Sequence, residues 1–164
     1  MKSSGLLNSN ILEWNDEKWD ELYRILDGLM DLLVPPNDEL SSFHKAVESA
    51  RLVEDKALKL FAKVVRFTGE ARRAVANQKL ALAIQFRELF NSEGIKDLTK
   101  HERKLHADSC LGEETKKLDD AEVIYEKMTL YLDCVKRVIN AANHHRADIA
   151  KRLKVMEIEA NITR

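Results

Sequence analysis

The sequence contains little that would interrupt a helix. Its only two prolines are Pro35 and Pro36, and only three of its five glycines follow them, at wide intervals. Proline removes a backbone hydrogen-bond donor, and glycine costs about 1 kcal/mol relative to alanine inside a helix. Residues 37–164 can therefore form long helices. Because no alternating β-branched run is long enough to predict a strand, the predicted fold class is all-α.

Cysteines and long apolar runs are also scarce. Cys110 and Cys134 are the two cysteines and lie far apart in sequence, which favours free thiols in a reducing compartment over a disulfide framework. No run of 18 apolar residues predicts a membrane span, and the first ten residues lack the apolar stretch of a secretory signal. We therefore expect a cytoplasmic protein.

Catalytic and metal-binding motifs are missing as well. His101 and His106 are five residues apart, whereas the zinc-protease motif needs two histidines four apart on one helix face. His106 and Cys110 have the four-residue spacing, but two ligands are too few for a structural zinc site. With 6% aromatic and 34% charged residues, the composition fits extended helices with large solvated faces. We expect no enzyme activity, no metal, no cofactor and no small-molecule substrate.

Helix signals divide the chain into four predicted helices. Asn15 can cap the first, Pro35 can end it, and Thr99 with Glu102 has the form of a capping box. Between the long helices, the segment that follows Asn91 contains a stop signal. The predicted helices cover residues 12–34, 38–91, 99–109 and 113–162.

The last helix carries apolar residues at an unbroken three-four spacing. A period of 3.5 residues sustained this long predicts a coiled-coil seam packed against another long helix. Because the chain offers little surface to cover such a seam, we expect self-association, as a homo- or heterodimer through the long helices. The predicted seam consists of Leu118, Ala121, Tyr125, Met128, Leu132, Val135, Ile139, Ala142, Arg146, Ile149, Leu153, Met156 and Ala160.

The second helix repeats this pattern, with polar lapses at Glu54, Thr68, Gln78 and Gln85. Its predicted seam consists of Leu40, Phe43, Val47, Ala50, Ala57, Phe61, Val64, Ala71, Val75, Leu82 and Leu89. The simplest arrangement is an elongated antiparallel hairpin or coiled coil of the two long helices, completed by an N-terminal amphipathic helix. One face of that helix would carry Leu12, Trp19, Leu22, Tyr23, Leu26, Met30 and Leu33.

We thus predict one all-helical domain over residues 1–164. Residues 1–36 form its acidic amphipathic helix and a Pro-Pro hinge, and residues 37–164 form the long-helix hairpin. Arg146 is the only charged residue of the last seam. It either fixes the helix register or extends to water where the seam opens.

Although the net charge of the whole chain is −1, the second helix contains a basic stretch. Five of its bases recur at spacings of three, four, three and seven, which places them along one helix face. Such a stripe could bind anionic lipid head groups or a phosphate backbone. Alternatively, it is only a solvated face or docks the acidic first helix. The candidate residues are Lys56, Lys59, Lys63, Arg66, Arg72, Arg73 and Lys79.

Residues 43–164 resemble the BAR domains of the sorting nexins. In that family a long helix begins near an aromatic residue, here Phe43, and breaks at a turn like Asn91-Ser92-Glu93. The second long helix often carries a stretch similar to Tyr131–Ile139, followed by an arginine, here Arg146. The resemblance implies a dimer with a curved basic surface that binds anionic endosomal membrane during protein transport. BAR domains have three long helices, whereas two are predicted here.

Two other classes of function fit the same features. A helical nucleic-acid-binding protein, such as a phage recombination mediator, would need aromatic side chains among its basic residues, on which nucleobases could stack. Of the aromatic residues in the basic stretch 56–79, Phe61 belongs to the predicted seam, which leaves Phe67. A coiled-coil adaptor would instead use its seam to recruit a partner helix.

Overall fold

The structure, a computed structural model, describes residues 14–37 and 40–162. Of these residues 89% are helical and none is in a strand, so the all-α prediction is confirmed. A short 3₁₀ turn, Glu93–Ile95, follows the second helix. The α-helices of the described ranges are α1 (Asp16–Met30), α2 (Leu40–Phe90), α3 (Lys100–Cys110) and α4 (Gly112–Ile162).

Helix α1 begins directly after the predicted cap, Asn15, and ends earlier than the sequence predicts. The Asn15 side chain caps it by accepting a hydrogen bond from the backbone N–H of Lys18 at 3.1 Å. The prediction that the helix continues to residue 34 is wrong. After Met30 the backbone bonds tighten, because Leu33 N–H bonds the Met30 carbonyl three residues back, and the helix ends ahead of Pro35. The predicted helix also included Trp14 and Asn15, which precede α1 and are not helical, because Asn15 serves as the cap. Residues 12 and 13 of the prediction lie outside the described residues.

Helices α2 and α4 each contain 51 residues, which corresponds to roughly 75 Å at 1.5 Å per residue. The described bounds agree with the predicted ones to within two residues, and positions 38 and 39 lie outside the described ranges. Helix α3 has the predicted capping box. Thr99 Oγ1 accepts from the Glu102 N–H at 3.3 Å, and the Glu102 carboxylate accepts from the Thr99 N–H at 2.8 Å.

The chain divides into two compact units. Unit 1 consists of Trp14–Val65 together with Leu130–Arg164, and unit 2 contains Arg66–Thr129. In unit 1, the buried side chains of α1 are Trp19, Leu22, Leu26 and Leu29. The predicted outer members of that face, Tyr23 and Met30, are exposed. The prediction of a single domain stays a prediction.

The buried stripe of α2 differs from the predicted seam at every second position. Val53 and Leu60 are buried where the prediction placed Glu54 and Phe61, and these predicted positions are half-buried instead. The buried positions still follow a three-four spacing, but every second one is shifted by one residue. This shift buries the apolar Val53 and Phe67 in place of the polar Glu54 and Thr68. Along α2 the buried residues are Phe43, Ala46, Ala50, Val53, Ala57, Leu60, Val64, Phe67 and Ala71.

Helix α4 shows the same offset. Tyr131 and Val138 are buried, whereas the predicted Leu132 and Ile139 are half-buried. The predicted positions Ala121, Met128, Val135, Ala142 and Ile149 are buried. At the end of unit 1, Ile149 forms a cluster with Phe43 and Ala46, against which Val47, Leu153 and Met156 pack.

Candidate interaction surfaces

The lysines of the predicted basic stripe are exposed on unit 1. Lys56, Lys59 and Lys63 lie on the outer side of α2. The Nζ of Lys59 is 2.6 Å from the Asp55 carboxylate, but both side chains are more than half exposed, so this pair adds little stability. Lys56 and Lys63 form no ion pair with a residue in the described part of the chain. Unit 1 therefore presents lysines that can bind an anionic surface.

Apolar side chains accompany these lysines along α2. Leu58 and Val65 are 48% and 44% exposed, and Ala62 between them is also exposed. Leu58 directly precedes Lys59 and Ala62 directly precedes Lys63, so the apolar row lies about 100° around the helix from the basic row. This combination of an apolar row with a basic row is typical of helices that bind membrane surfaces.

The remaining bases of the stripe belong to unit 2 and are all exposed. Arg66 lies 3.5 Å from the Glu70 carboxylate and stacks over the Phe67 ring at 4.9 Å. Lys79 pairs with Glu122 of α4 at 2.8 Å. Arg72 and Arg73, being adjacent, point in different directions from the helix. Three of the seven candidate bases thus have an acidic partner within the chain, and Phe67 is buried beneath Arg66.

The predicted seam of α4 is largely covered within the single chain. Met128, Val135 and Ile149 are buried. They do not need a second copy to remove them from water, which weakens the argument that this seam is an interface between copies. The half-buried members are Leu118, Tyr125, Leu132, Ile139, Arg146, Leu153 and Met156. The use of the seam as an interface stays a prediction.

Tyr131 connects α4 to α1 in unit 1. Its ring is fully buried, its hydroxyl donates to the Leu22 carbonyl at 2.9 Å, and the Tyr23 ring meets it edge-on at 5.5 Å. Burial raises the pKa of Tyr131, and the nearby Tyr23 and Cys134 raise it further, so the phenol stays protonated as a donor. The seam prediction missed Tyr131. The available signal was an apolar residue directly before a seam position.

Two polar lapses of the predicted seams meet in unit 1. Arg146 forms an ion pair with Glu54 at 2.5 Å and donates to the Asn143 side chain at 3.1 Å. The Arg146 side chain is 41% exposed and the Glu54 side chain 21%. Arg146 therefore both reaches water and contacts α2 at one definite position, which makes it suited to fixing the register of the two helices.

The segment after α1 is held by both long helices. The backbone N–H of Val34 donates to Ser49 Oγ of α2 at 3.4 Å. The Val34 carbonyl lies 3.0 Å from His145 Nε2 of α4, and this nitrogen donates when it carries the hydrogen. These bonds position the start of the connection to α2.

A groove between α2 and α4 remains open in unit 1. Its volume is about 480 Å³, and no residue of α1 lines it. Arg51 lies at its edge, is exposed, and forms no ion pair with any residue that the structure describes. The lining residues are Val47, Arg51, Asn143, Arg146, Ala147, Ala150 and Leu153.

The described residues contain no metal-binding group and no membrane-spanning helix. His106 Nε2 and Cys110 Sγ are 3.9 Å apart on the exposed side of α3. Across residues 14–37 and 40–162, no three His, Cys, Asp or Glu side chains form a group that could hold a metal ion. Among the described helices, none combines the length and the apolar content needed to cross a bilayer.

Comparison with protein-family models, curated proteins and solved structures found no match to this chain. Function therefore has to be argued from the surfaces themselves.

Proposed function

We propose that this protein is a non-enzymatic helical scaffold that self-associates and binds anionic membrane surfaces. This is the role that the resemblance to BAR domains implies for trafficking at endosomes. The observation that carries the proposal is the double row on α2 of unit 1, in which exposed Leu58, Ala62 and Val65 run beside Lys56, Lys59 and Lys63.

The two rows would contribute different energies. A lysine near an anionic leaflet contributes about 1 kcal/mol, and this attraction is screened by salt. Leu58 and Val65 would contribute by leaving water, at about 25 cal/mol per Å² of buried apolar surface. A single copy of the protein, with three such lysines, would therefore bind the membrane weakly, with a binding free energy of only a few kcal/mol. Two or more linked copies would bind far more tightly through avidity, which is why self-association belongs to the proposal.

The contacts within unit 1 support an antiparallel pairing of α2 and α4. Phe43 packs near Leu153 and Met156, whereas Glu54, further along α2, pairs with Arg146, which is earlier on α4. We propose that this pairing forms the elongated hairpin expected from the sequence.

Nucleic-acid binding is less favoured by the surroundings of Phe67. A protein that binds single strands stacks bases on accessible aromatic rings. The Phe67 ring is only 2% exposed and Arg66 covers it, and Phe61 is half-buried, so the basic stretch presents no fully exposed ring on which a nucleobase could stack. Single-stranded DNA is therefore included in the test as a competitor.

The test is co-sedimentation with neutral phosphatidylcholine vesicles and with vesicles containing phosphatidylserine. We expect binding to the anionic vesicles only, and weaker binding at high salt. The variant Lys59→Glu/Lys63→Glu should bind them at least about thirtyfold more weakly, since each lysine contributes about 1 kcal/mol and each new carboxylate is repelled. The control Lys100→Glu/Lys104→Glu makes the same charge change at the same spacing on exposed positions of α3.

The second variant, Leu58→Ser/Val65→Ser, tests the apolar row. It should weaken the binding that remains at high salt, where the lysines are screened. If the α3 control lost as much binding to anionic vesicles, the effect would depend only on net charge. The assignment of the lipid-binding surface to α2 would then be overturned. Displacement by single-stranded DNA at equal phosphate concentration would transfer the assignment to nucleic acid. Circular dichroism of each variant checks that helicity is unchanged.

A further inference from the structure

We infer that the open groove of unit 1 receives helix α1 of a second copy of this chain, through the acidic side of that helix. The inference rests on the self-association in the proposed function and identifies the surfaces that would carry it. It does not depend on membrane binding.

The groove has the composition of a helix-docking site with a preference for acidic partners. Val47 and Leu153 provide apolar walls, and Ala147 and Ala150 are small enough to let a helix approach closely. Arg51 and Arg146 add positive charge from α2 and α4, and only Arg146 has an acidic partner in the described part of the chain. An incoming carboxylate would find Arg51 available.

One side of α1 has the complementary composition. Asp20, Tyr23, Asp27 and Met30 follow at spacings of three, four and three residues, so they share one side of the helix. Tyr23 and Met30 are 39% and 41% exposed, although both are apolar or aromatic. Asp20 and Asp27 are exposed, and neither pairs with a base in the described ranges.

The two surfaces can meet without unfolding either copy. Helix α1 stays attached to its own chain through Trp19, Leu22 and Leu26, which are buried. Tyr23 and Met30 lie at the margin of this buried face, next to Asp20 and Asp27, and their exposed parts would contact the alanines of the groove while Tyr23 keeps its edge-on contact with Tyr131. The carboxylates of α1 would then approach the arginines, and such charge complementarity fixes orientation and discriminates against wrong partners.

This contact is heterologous, because the groove of one copy binds a different surface of the next. Repeating it produces a closed ring or an open chain of subunits. A helix of 15 residues is only about 22 Å long, so the buried area lies at the small end of specific interfaces. We therefore expect micromolar association that weakens as salt rises.

The experiment is sedimentation velocity of the full chain between about 5 and 200 µM, at low and high salt, over the range expected for a small interface. Wild type should grow in mass with concentration, and less so at high salt. Ala147→Trp should block the groove, and Asp20→Arg/Asp27→Arg should disable the α1 side. Each variant alone should lose about tenfold or more in association constant. Asp119→Arg/Glu126→Arg is the control, with the same charge change and spacing on exposed positions of α4.

Mixing the two variants gives the sharpest result. The intact α1 of one variant can bind the intact groove of the other, and growth must then stop at a one-to-one pair. Formation of that pair supports the inference. Wild-type association that neither variant changes overturns it and leaves the scaffold proposal standing with another interface. A wild type that stays monomeric overturns both this inference and self-association, while membrane binding is still decided by the vesicle assay.

Discussion

Replacing Tyr131 with phenylalanine removes one hydroxyl and leaves the ring that fills the space between α4 and α1. The hydroxyl donates to the Leu22 carbonyl from a fully buried position. A hydrogen bond of this kind contributes about 0.5–1.5 kcal/mol to stability. The Leu22 carbonyl can still accept its intrahelical bond, so we expect the cost of Tyr131→Phe to be about 1 kcal/mol, or ~2–4 °C in Tm for a chain of this size.

Truncation to alanine should cost much more. Tyr131→Ala removes the ring against which Tyr23 packs edge-on, and large aromatic-to-alanine changes in a core cost about 3–5 kcal/mol. The control is Tyr125→Phe, also on α4, where the ring is half-buried and should tolerate loss of its hydroxyl within about 0.5 kcal/mol.

The assay can separate docking of α1 from helix formation. Both tryptophans of the protein, Trp14 and Trp19, lie at the start of α1 and are buried, so their fluorescence reports the docking of this helix. Circular dichroism at 222 nm reports mainly α2 and α4. In urea, Tyr131→Ala should shift the fluorescence transition further than the dichroism transition. Unchanged tryptophan emission in Tyr131→Ala would falsify the assignment of Tyr131 as the anchor of α1.

Alkaline titration gives an independent check with a definite sign. Burial raises the pKa of Tyr131 above its ordinary value of 10.0, so the unfolded chain loses this proton first. The stabilising contribution is complete below pH 10 and is lost as pH rises towards the folded pKa. Wild type should therefore lose more stability than Tyr131→Phe above pH 10, and parallel curves would contradict the burial of the phenol.

Three further changes test other parts of the fold. Gly69→Ala should stabilise the protein by about 0.5–1 kcal/mol in urea unfolding, because a Cβ at this helical position meets no atom within 4 Å; destabilisation would indicate a close contact at this site. A double-mutant cycle of Glu54→Ala with Arg146→Ala should give a coupling of about 0.5–1 kcal/mol, as expected for a pair that water still reaches, and additive losses would remove its role in register. Thr99→Ala should lower Tm by ~2–4 °C at neutral pH. Hydrogen bonds from Thr99 lower the pKa of Glu102, so the difference between wild type and Thr99→Ala should shrink as acid protonates Glu102, and a pH-independent difference would contradict the capping box.

The sequence was informative about helices because local signals determine where they begin and end. Asn15 and Thr99 satisfy backbone N–H groups of their own helices, and this chemistry needs no tertiary contact. The early end of α1 was not predictable in the same way. Pro35 excludes a helix that continues past residue 34, but it does not determine at which earlier residue the helix ends. The hydrogen bonds of Val34 to Ser49 and His145 depend on helices that are far away in sequence.

The buried positions of α4 also depend on contacts between helices that are far apart in sequence. Tyr131 and Leu132 are both apolar and lie four and three residues before Val135, so the spacing alone could not decide which of them is buried. The choice depends on α1, which covers the side on which Tyr131 lies. The meeting of Arg146 with Glu54 was closer to prediction, since both were identified as polar positions in otherwise apolar seams. The sequence did not predict the register of α2 against α4 that brings these two side chains together.

The bond between Tyr131 and Leu22 also has a consequence for the order of folding. It joins residues 109 positions apart, whereas the turns of each helix form between neighbours. Closing so long a loop is entropically costly and slow compared with helix growth. The tryptophans should therefore reach their final fluorescence after most of the helical dichroism has returned. During synthesis α1 would therefore stay undocked until Tyr131 of α4 has been made, although α1 precedes α2, α3 and α4 in the chain.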